Sequence, residues 1–233
     1  MVSGGFAAAY RELAPEFERR TGHHLTTIWG ASMGTTPEAI PVRLERGERA
    51  DVLIMVGRAL DQLDRQKKVT CSLRVDLAKS GIGVAVRKGA PRPDISTLAA
   101  FKKTLLAASS IAYSDSASGE YLSKVLFPHL GLAGKIEAKS RKIEGEPVGQ
   151  VVARGAAELG FQQVSELLPV PGIELLGSLP AEVQEYTVFS ACANAKAADP
   201  AAARALVSFL ASPEAAVAIR KSGMEPASDP QGK

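Results

Sequence analysis

Apolar positions along the chain switch repeatedly between a helical and a strand period. Over 6–20, Phe6, Tyr10, Leu13 and Phe17 recur three and four residues apart, which puts them on one face of a helix that Gly22 stops. Residues 24–29 read as a strand and 37–46 as a helix closed by Gly47. The nearly continuous apolar run 50–56 suits a strand covered on both faces, and 59–66 a short helix. The apolar, β-branched stretch 81–87 leads into the loop Lys88-Gly89-Ala90-Pro91-Arg92-Pro93, where a change of lobe is expected. Beyond it the pattern predicts helices over 96–106, 118–130 and 148–155, and strands over 110–114, 139–144, 157–163, 173–177 and 186–193. Asp199-Pro200 then opens an alanine-rich helix to Leu210, and Ser212-Pro213-Glu214 a last one to Lys221, ahead of Gly223.

This alternation predicts an α/β architecture with largely parallel strands. Two strands, near 81–87 and 186–193, are expected to carry the chain between lobes. They divide it into an outer lobe of 1–82 and 190–233 and an inner lobe of 83–189, with a ligand cleft between.

Composition narrows the function classes. Lys plus Arg number 28 against 25 Asp plus Glu, a net charge of +3 without any basic run, which argues against nucleic acid while leaving a small anion free to approach. No apolar stretch reaches the roughly 20 residues needed to cross a bilayer. The start, Met1-Val2-Ser3-Gly4-Gly5, lacks the basic and apolar regions of a secretion signal, so the chain reads as a mature or trimmed form. Cys71 and Cys192 follow no metal or redox spacing, and two free thiols are expected over a disulfide. His23-His24 and His129 offer no ligand pattern, and the pair after Gly22 reads as a solvated helix cap. No metal and no cofactor are expected.

Candidate chemistry lies in four segments that run straight into helical stretches: Ser3-Gly4-Gly5-Phe6, Gly30-Ala31-Ser32-Met33-Gly34-Thr35-Thr36, Ser114-Asp115-Ser116-Ala117-Ser118-Gly119 and Glu146-Pro147-Val148-Gly149. A helix start leaves backbone N–H groups without acceptors and a partial positive charge, so several converging starts form a cup for an anion. Serine and glycine also favour such places without any ligand. The candidate ligand-binding residues are Ser3, Gly4, Gly5, Phe6, Ser32, Met33, Gly34, Ser116, Ser118, Gly119, Val148, Gly149 and Gln163. Gln162 and Gln163 follow Leu159-Gly160-Phe161 on opposite faces of a strand, so one of them is expected at the ligand. Arg58, at the end of the buried run 50–56, and Arg154 are weaker carboxylate partners. Trp29 reads as core.

The segments Phe17-Glu18-Arg19-Arg20-Thr21-Gly22, Gly30-Ala31-Ser32, Arg46-Gly47-Glu48-Arg49-Ala50-Asp51-Val52 and Leu159-Gly160-Phe161, with the closing helix pair around Ser212-Pro213-Glu214, resemble type II periplasmic solute-binding proteins. Within that class the chain is most similar to the molybdate-binding proteins of ABC importers, over nearly its whole length. The resemblance implies a two-lobed fold, a periplasmic monomer, a small anionic ligand and an ABC transporter membrane component as partner, with no nucleic acid and no membrane insertion. It puts the first strand-end serine of the family at Gly5, with Ser3 close by, the second at Ser32, inner-lobe donors near Ser118-Gly119 and Val148-Gly149, and the family's tyrosine at Gln163. The stretches Ser3 to Tyr10, Tyr113 to Gly119 and Gly160 to Leu168 are also similar to a branch of the superfamily that includes bacterial aconitate isomerase, which implies a tricarboxylate or similar acid.

The leading expectation is therefore capture of a small anion, an organic di- or tricarboxylate or an oxyanion, for uptake. The alternative is an isomerase of the aconitate type, which needs a base. Asp115, Glu120 and Tyr121 are the candidates, none distinguished by spacing, and a hydroxyl or water relay is equally open.

Overall fold

The computed structural model describes residues 1–227; the end of the expected outer lobe beyond them lies outside the described residues. One 3-10 turn at Gly4–Phe6 leads into helix α1 (Ala7–Thr21), which Gly22 closes in the left-handed region at φ 75° with its N–H on the Glu18 carbonyl. There follow α2 (Ile40–Glu45), β1 (Val52–Val56), α3 (Gly57–Arg65) and the long strand β2 (Cys71–Arg87). Next come α4 (Leu98–Ala107), β3 (Ile111–Ser114) and α5 (Ala117–Tyr121), which loosens into a π-helical stretch at Leu122–Leu126 and ends in α6 (Phe127–His129). The chain continues through α7 (Ala133–Ile136), β4 (Ser140–Ile143), α8 (Val148–Ala153), β5 (Leu159–Gln163), α9 (Val164–Leu167), β6 (Ile173–Ser178) and β7 (Tyr186–Asn194). It closes with α10 (Pro200–Leu210), capped by Asp199 accepting from the Ala201 and Ala202 N–H groups, α11 (Ala215–Lys221) and the two-residue β8 (Glu225–Pro226).

The chain divides into two compact units, one of Met1–Ser80 with the residues from Thr187 onward, the other Gly81–Tyr186. In the first, β1 pairs antiparallel with β7, β7 lies beside β2, and β8 adds to β2 at Ala78 and Lys79. Phe6, Phe17, Leu53, Ile54, Met55 and Leu60 are wholly buried here, and α1 packs on α10 through the Phe17 and Phe209 rings, 5.7 Å apart. In the second unit β3 is the parallel centre, between β4 and β5, and β2 pairs antiparallel with β5 and with β6. One apolar cluster there gathers Ile82, Val84, Phe101, Leu105 and Phe161, and a smaller one Ala112, Val148, Val151 and Val152.

The strands are thus mixed and not largely parallel, because the strands that carry the chain between the units run against their neighbours. β2 is also much longer than the apolar stretch 81–87. Its first six residues alternate between partly and fully exposed, then burial becomes nearly continuous, as a strand does when it passes from a sheet with one wet face to one covered on both. The expected strand 24–29 shrinks to a single bridge at Trp29, and Trp29 is 39% exposed, its edge against Tyr10 and the Arg11 guanidinium over its ring. It is a surface residue and not core, since an indole tolerates one wet face where a cation covers it. Among the described residues no single helix is long and apolar enough to cross a membrane; α10 and α11 pass that test only together and bend by 60°.

Cys71 and Cys192 form a disulfide between β2 and β7, which corrects the expectation of free thiols. Strand pairing brings their Cα atoms to 5.4 Å across a sequence separation of 121 residues, a proximity that spacing along the chain cannot reveal. The bridge encloses the whole of the second unit in a covalent loop. Replacing both cysteines with serine, or reducing the bridge, is expected to lower stability by about 3–5 kcal/mol, in line with the loop entropy restored to the unfolded chain. Thermal unfolding with and without reductant measures it, and the double variant should lose its response to reductant.

Candidate functional site

Strands in α/β units present their carboxyl ends, followed by helix starts, to ligands. In the first unit Val2 bridges Trp29 and Ile54 in parallel, held by Val2 N–H on Ile28 O at 2.9 Å and Ser3 N–H on Ile54 O at 2.8 Å. Ser3, and not Gly5, therefore ends the first strand, because the strand is only the few residues before the 3-10 turn. The Ser3 side chain is 2% exposed and its Oγ has no hydrogen-bond partner among the described residues. A buried hydroxyl left unmatched costs about 1–3 kcal/mol.

At the same strand ends Ser32, also 2% exposed, accepts the Val56 N–H through Oγ at 2.9 Å, which leaves its hydroxyl hydrogen to donate. Gly57 begins α3 immediately after. Met33 is half-buried with Sδ 3.9 Å from the Arg58 guanidinium, and Gly34 turns the loop at φ 97°. Phe6 is used internally: its ring is wholly buried and its N–H donates to the Ser3 carbonyl at 3.2 Å. Gly5 has a packing reason, since a Cβ there would lie 2.1 Å from Cζ of Phe189.

In the second unit the carboxyl ends of β3, β4 and β5 gather Ser114 to Gly119, Glu144 to Gly149 and Gln163 to Glu166. The hydroxyls of Ser114 and Ser118 lie 3.0 Å apart, and the Ser116 N–H reaches Ser114 Oγ at 3.4 Å. Ser116 caps α5, its carbonyl taking the Glu120 N–H at 3.0 Å. Gly119 admits no side chain: a Cβ would meet the Ser114 carbonyl oxygen at 1.6 Å. At Gly149 a Cβ would come to 2.9 Å from Val170. The Val148 N–H is not free for a ligand, because the Gln162 side-chain oxygen accepts it at 2.9 Å. Gln162 and Gln163 are both buried, and Gln163 is held by further interactions of its own.

The structure adds a group that the sequence reading missed. With its oxygen committed to Val148, Gln162 turns its amide N–H groups to the Glu166 carboxyl, which also takes the Gln163 N–H, the reciprocal contact of a helix capping box on α9. Burial, chiefly, together with the negative charge of Asp115 pushes the Glu166 carboxyl up to about 7, against the lowering effect of both donors. Asp115 is itself raised, first by burial and then by Glu144, while its own N–H and Lys142 pull the other way. Two acids thus share this strand edge.

The other candidates for a base are spoken for. Glu120 pairs with Lys124 at 2.9 Å, and the Tyr121 hydroxyl donates to the Val183 carbonyl at 2.9 Å while burial raises its pKa, further from neutrality. Arg154 is held by both oxygens of Glu146 at 2.7 Å, which removes it as a ligand cation.

The family model described as bacterial extracellular solute-binding protein matches residues 1–225. The chain belongs to this family. Among relatives of this solute-binding protein, the aconitate isomerase of Pseudomonas sp. is 54% identical over 226 residues, 97% of this chain and 86% of that protein. The molybdate-binding protein ModA of Azotobacter vinelandii is 27% identical over 233 residues, 95% of this chain and 87% of that one. Among solved structures, the periplasmic molybdate-binding protein of Azotobacter vinelandii superposes with a TM-score of 0.74 at 21% identity, covering 96% of this chain and 98% of that one. The substrate binding domain of a putative molybdenum ABC transporter from Clostridium difficile gives 0.69 at 19% identity and 96% of each chain. These likenesses show the mixed α/β, two-domain periplasmic binding protein fold that the resemblance implied.

Two outcomes test this geometry. Gly119→Ala is expected to destabilise the solute-binding protein by about 2–4 kcal/mol in denaturant titration, since the added methyl meets backbone oxygen that cannot move aside alone. Glu166 binds its proton more tightly folded than unfolded, so its stabilising contribution is complete below the ordinary value of 4.5 and is lost as pH rises to about 7. Glu166→Gln should therefore gain about 1–3 kcal/mol on the wild type between pH 4.5 and pH 8, measured as the change in their stability difference.

Proposed function

We propose that this solute-binding protein is an isomerase of the aconitate type, which interconverts cis- and trans-aconitate by a proton shift on a binding-protein scaffold. The observation that carries the reading is 54% identity, over 97% of the chain, to a protein named aconitate isomerase. The local chemistry supports it. Ser3 and Ser32 offer hydroxyl donors at strand ends of one unit, and Ser114, Ser116 and Ser118 at those of the other, and such neutral donors suit the carboxylates of a small acid. Backbone N–H groups at Gly4 and Gly5, where the turn into α1 begins, and the Met33-Gly34 loop join them in this reading. So do Gly119 and Gly149 through their main chains and Gln163 through its side chain.

The reaction needs one proton removed from a methylene beside a carboxylate and one returned two carbons away. It also needs fixed donors to stabilise the charge that passes through the intermediate. Capture of the acid is the first step. Family membership favours a second reading, in which the protein captures an anion outside the cytoplasm and delivers it to an ABC transporter. The disulfide fits such an oxidising compartment.

Incubation of the pure protein with either aconitate isomer, followed by NMR of both, separates the readings. Isomerisation is expected from both directions to one common ratio. Calorimetric binding of aconitate without turnover would leave capture alone. Ser3→Ala should weaken aconitate binding about tenfold, the value of one buried hydrogen bond, while molybdate bound in its place would overturn the organic-acid assignment.

A further inference from the structure

The proposed reaction has no assigned proton carrier, and the second unit holds a side chain built for that task. Glu166 stands at the carboxyl ends of the parallel strands β3 and β5, partly exposed, beside the Ser114 to Gly119 segment. Its carboxyl is fixed from two sides. Gln162, anchored through its oxygen to the Val148 N–H at 2.9 Å, donates from β5, and the Gln163 N–H donates from the start of α9. A carboxylate whose only task was to cap a helix of one turn would be held in its ionised form by those donors. Here the surroundings oppose them: Asp115 faces it from the loop after β3, with Glu144 and Lys142 facing Asp115 in turn from β4 and the segment after it. Lys142 is paired with Glu144 at 2.6 Å, so its charge is largely answered there.

We propose that Glu166 is the acid–base residue that carries the proton in the isomerisation, with Asp115, which faces it from the loop after β3, as its positioning residue. The inference rests on the isomerase reading. Glu166 as carboxylate takes a proton from the methylene of the tricarboxylate. The C–H electron pair becomes the new double bond to the central carbon, and the old double bond's electron pair moves onto the third carbon, where the attached carboxylate spreads the charge. Glu166 as acid then gives the proton to that third carbon. The double bond has moved by one position, the side chain returns to its starting form, and no oxidant or second reactant is consumed. A group that shares its proton nearly evenly with water at neutral pH serves both halves of such a step, and burial together with Asp115 brings Glu166 to about 7.

The test compares wild type, Glu166→Gln, Glu166→Asp and Asp115→Asn, using aconitate as the probe. Glu166→Gln keeps a hydrogen-bond acceptor for Gln162 and Gln163, and is expected to bind aconitate within about threefold of wild type by calorimetry. Its turnover should fall by about 10²–10⁴, and Glu166→Asp should keep part of the rate. For wild type kcat/KM should rise with pH through the neutral range. Asp115→Asn should move that limb to lower pH, because a neighbouring negative charge is gone; a purely structural role would not move it. A folded Glu166→Gln that isomerises within tenfold of wild type, or a limb unmoved in Asp115→Asn, overturns the assignment and leaves the isomerase reading standing. Should Glu166→Gln fail to fold, the Asp115→Asn limb decides. A wild type inert toward both isomers removes the isomerase reading and this inference together.

Discussion

One strand serves two cores. β2 gives its first half to the unit that holds both the N-terminal and the later residues, and its second half to the unit between, where Ile82, Val84 and Val86 are buried in an apolar cluster. The return strand β7 lies beside it and is bonded to it covalently through Cys71 and Cys192. Because the chain enters and leaves the second unit only through these two strands, the disulfide limits the freedom of that whole excursion in the unfolded state. The stability of each unit's sheet is therefore tied to the same few residues.

That arrangement leaves the carboxyl ends of the inner strands free to carry chemistry, and the residues there do two tasks at once. Gly119 and Gly149 lie where a Cβ would strike the Ser114 carbonyl or Val170, so their small size is demanded by packing before any ligand arrives. Gln162 is similar: its oxygen satisfies the first N–H of α8, and only because it does so is its amide nitrogen aimed at Glu166. Ser3 differs from all of these. Its hydroxyl has no hydrogen-bond partner among the described residues, a state it shares with Ser212 in the same unit.

Much of the fold was legible from periodicity, because helices such as α1 and α10 carry their stop and start signals in Gly22 and Asp199. Alternation over Cys71-Ser72-Leu73-Arg74-Val75-Asp76 also signalled the first half of β2, but its polar positions obscured it beside the apolar run that follows. The remainder was not legible for physical reasons. A bridge between residues 121 positions apart depends on sheet pairing, not on spacing. The strand before Ser3 is too short to show a period, so its end was placed at Gly5. Glu166 stands in sequence as one acid after two glutamines; its unusual proton affinity arises from burial and then from Asp115, neither of which is a local property.

The charge pattern at this edge bears on both halves of the proposed function, anion binding and proton transfer. A cup made of lysine or arginine would neutralise the guest and also hold nearby carboxyls in their ionised, weakly basic state. In the second unit Arg154 and Lys142 are each paired with a glutamate of the segment after β4, Glu146 and Glu144. The donors of the proposed site are hydroxyls and amides, which orient carboxylates without cancelling their charge. In the proposed reaction, a bound tricarboxylate would raise the proton affinity of Glu166 further and make it a stronger base towards the carbon acid. The same negative field penalises a second negative charge on the substrate carbon, so the fixed donors must stabilise that charge as it forms. In that reading, binding and proton transfer draw on one set of neutral dipoles.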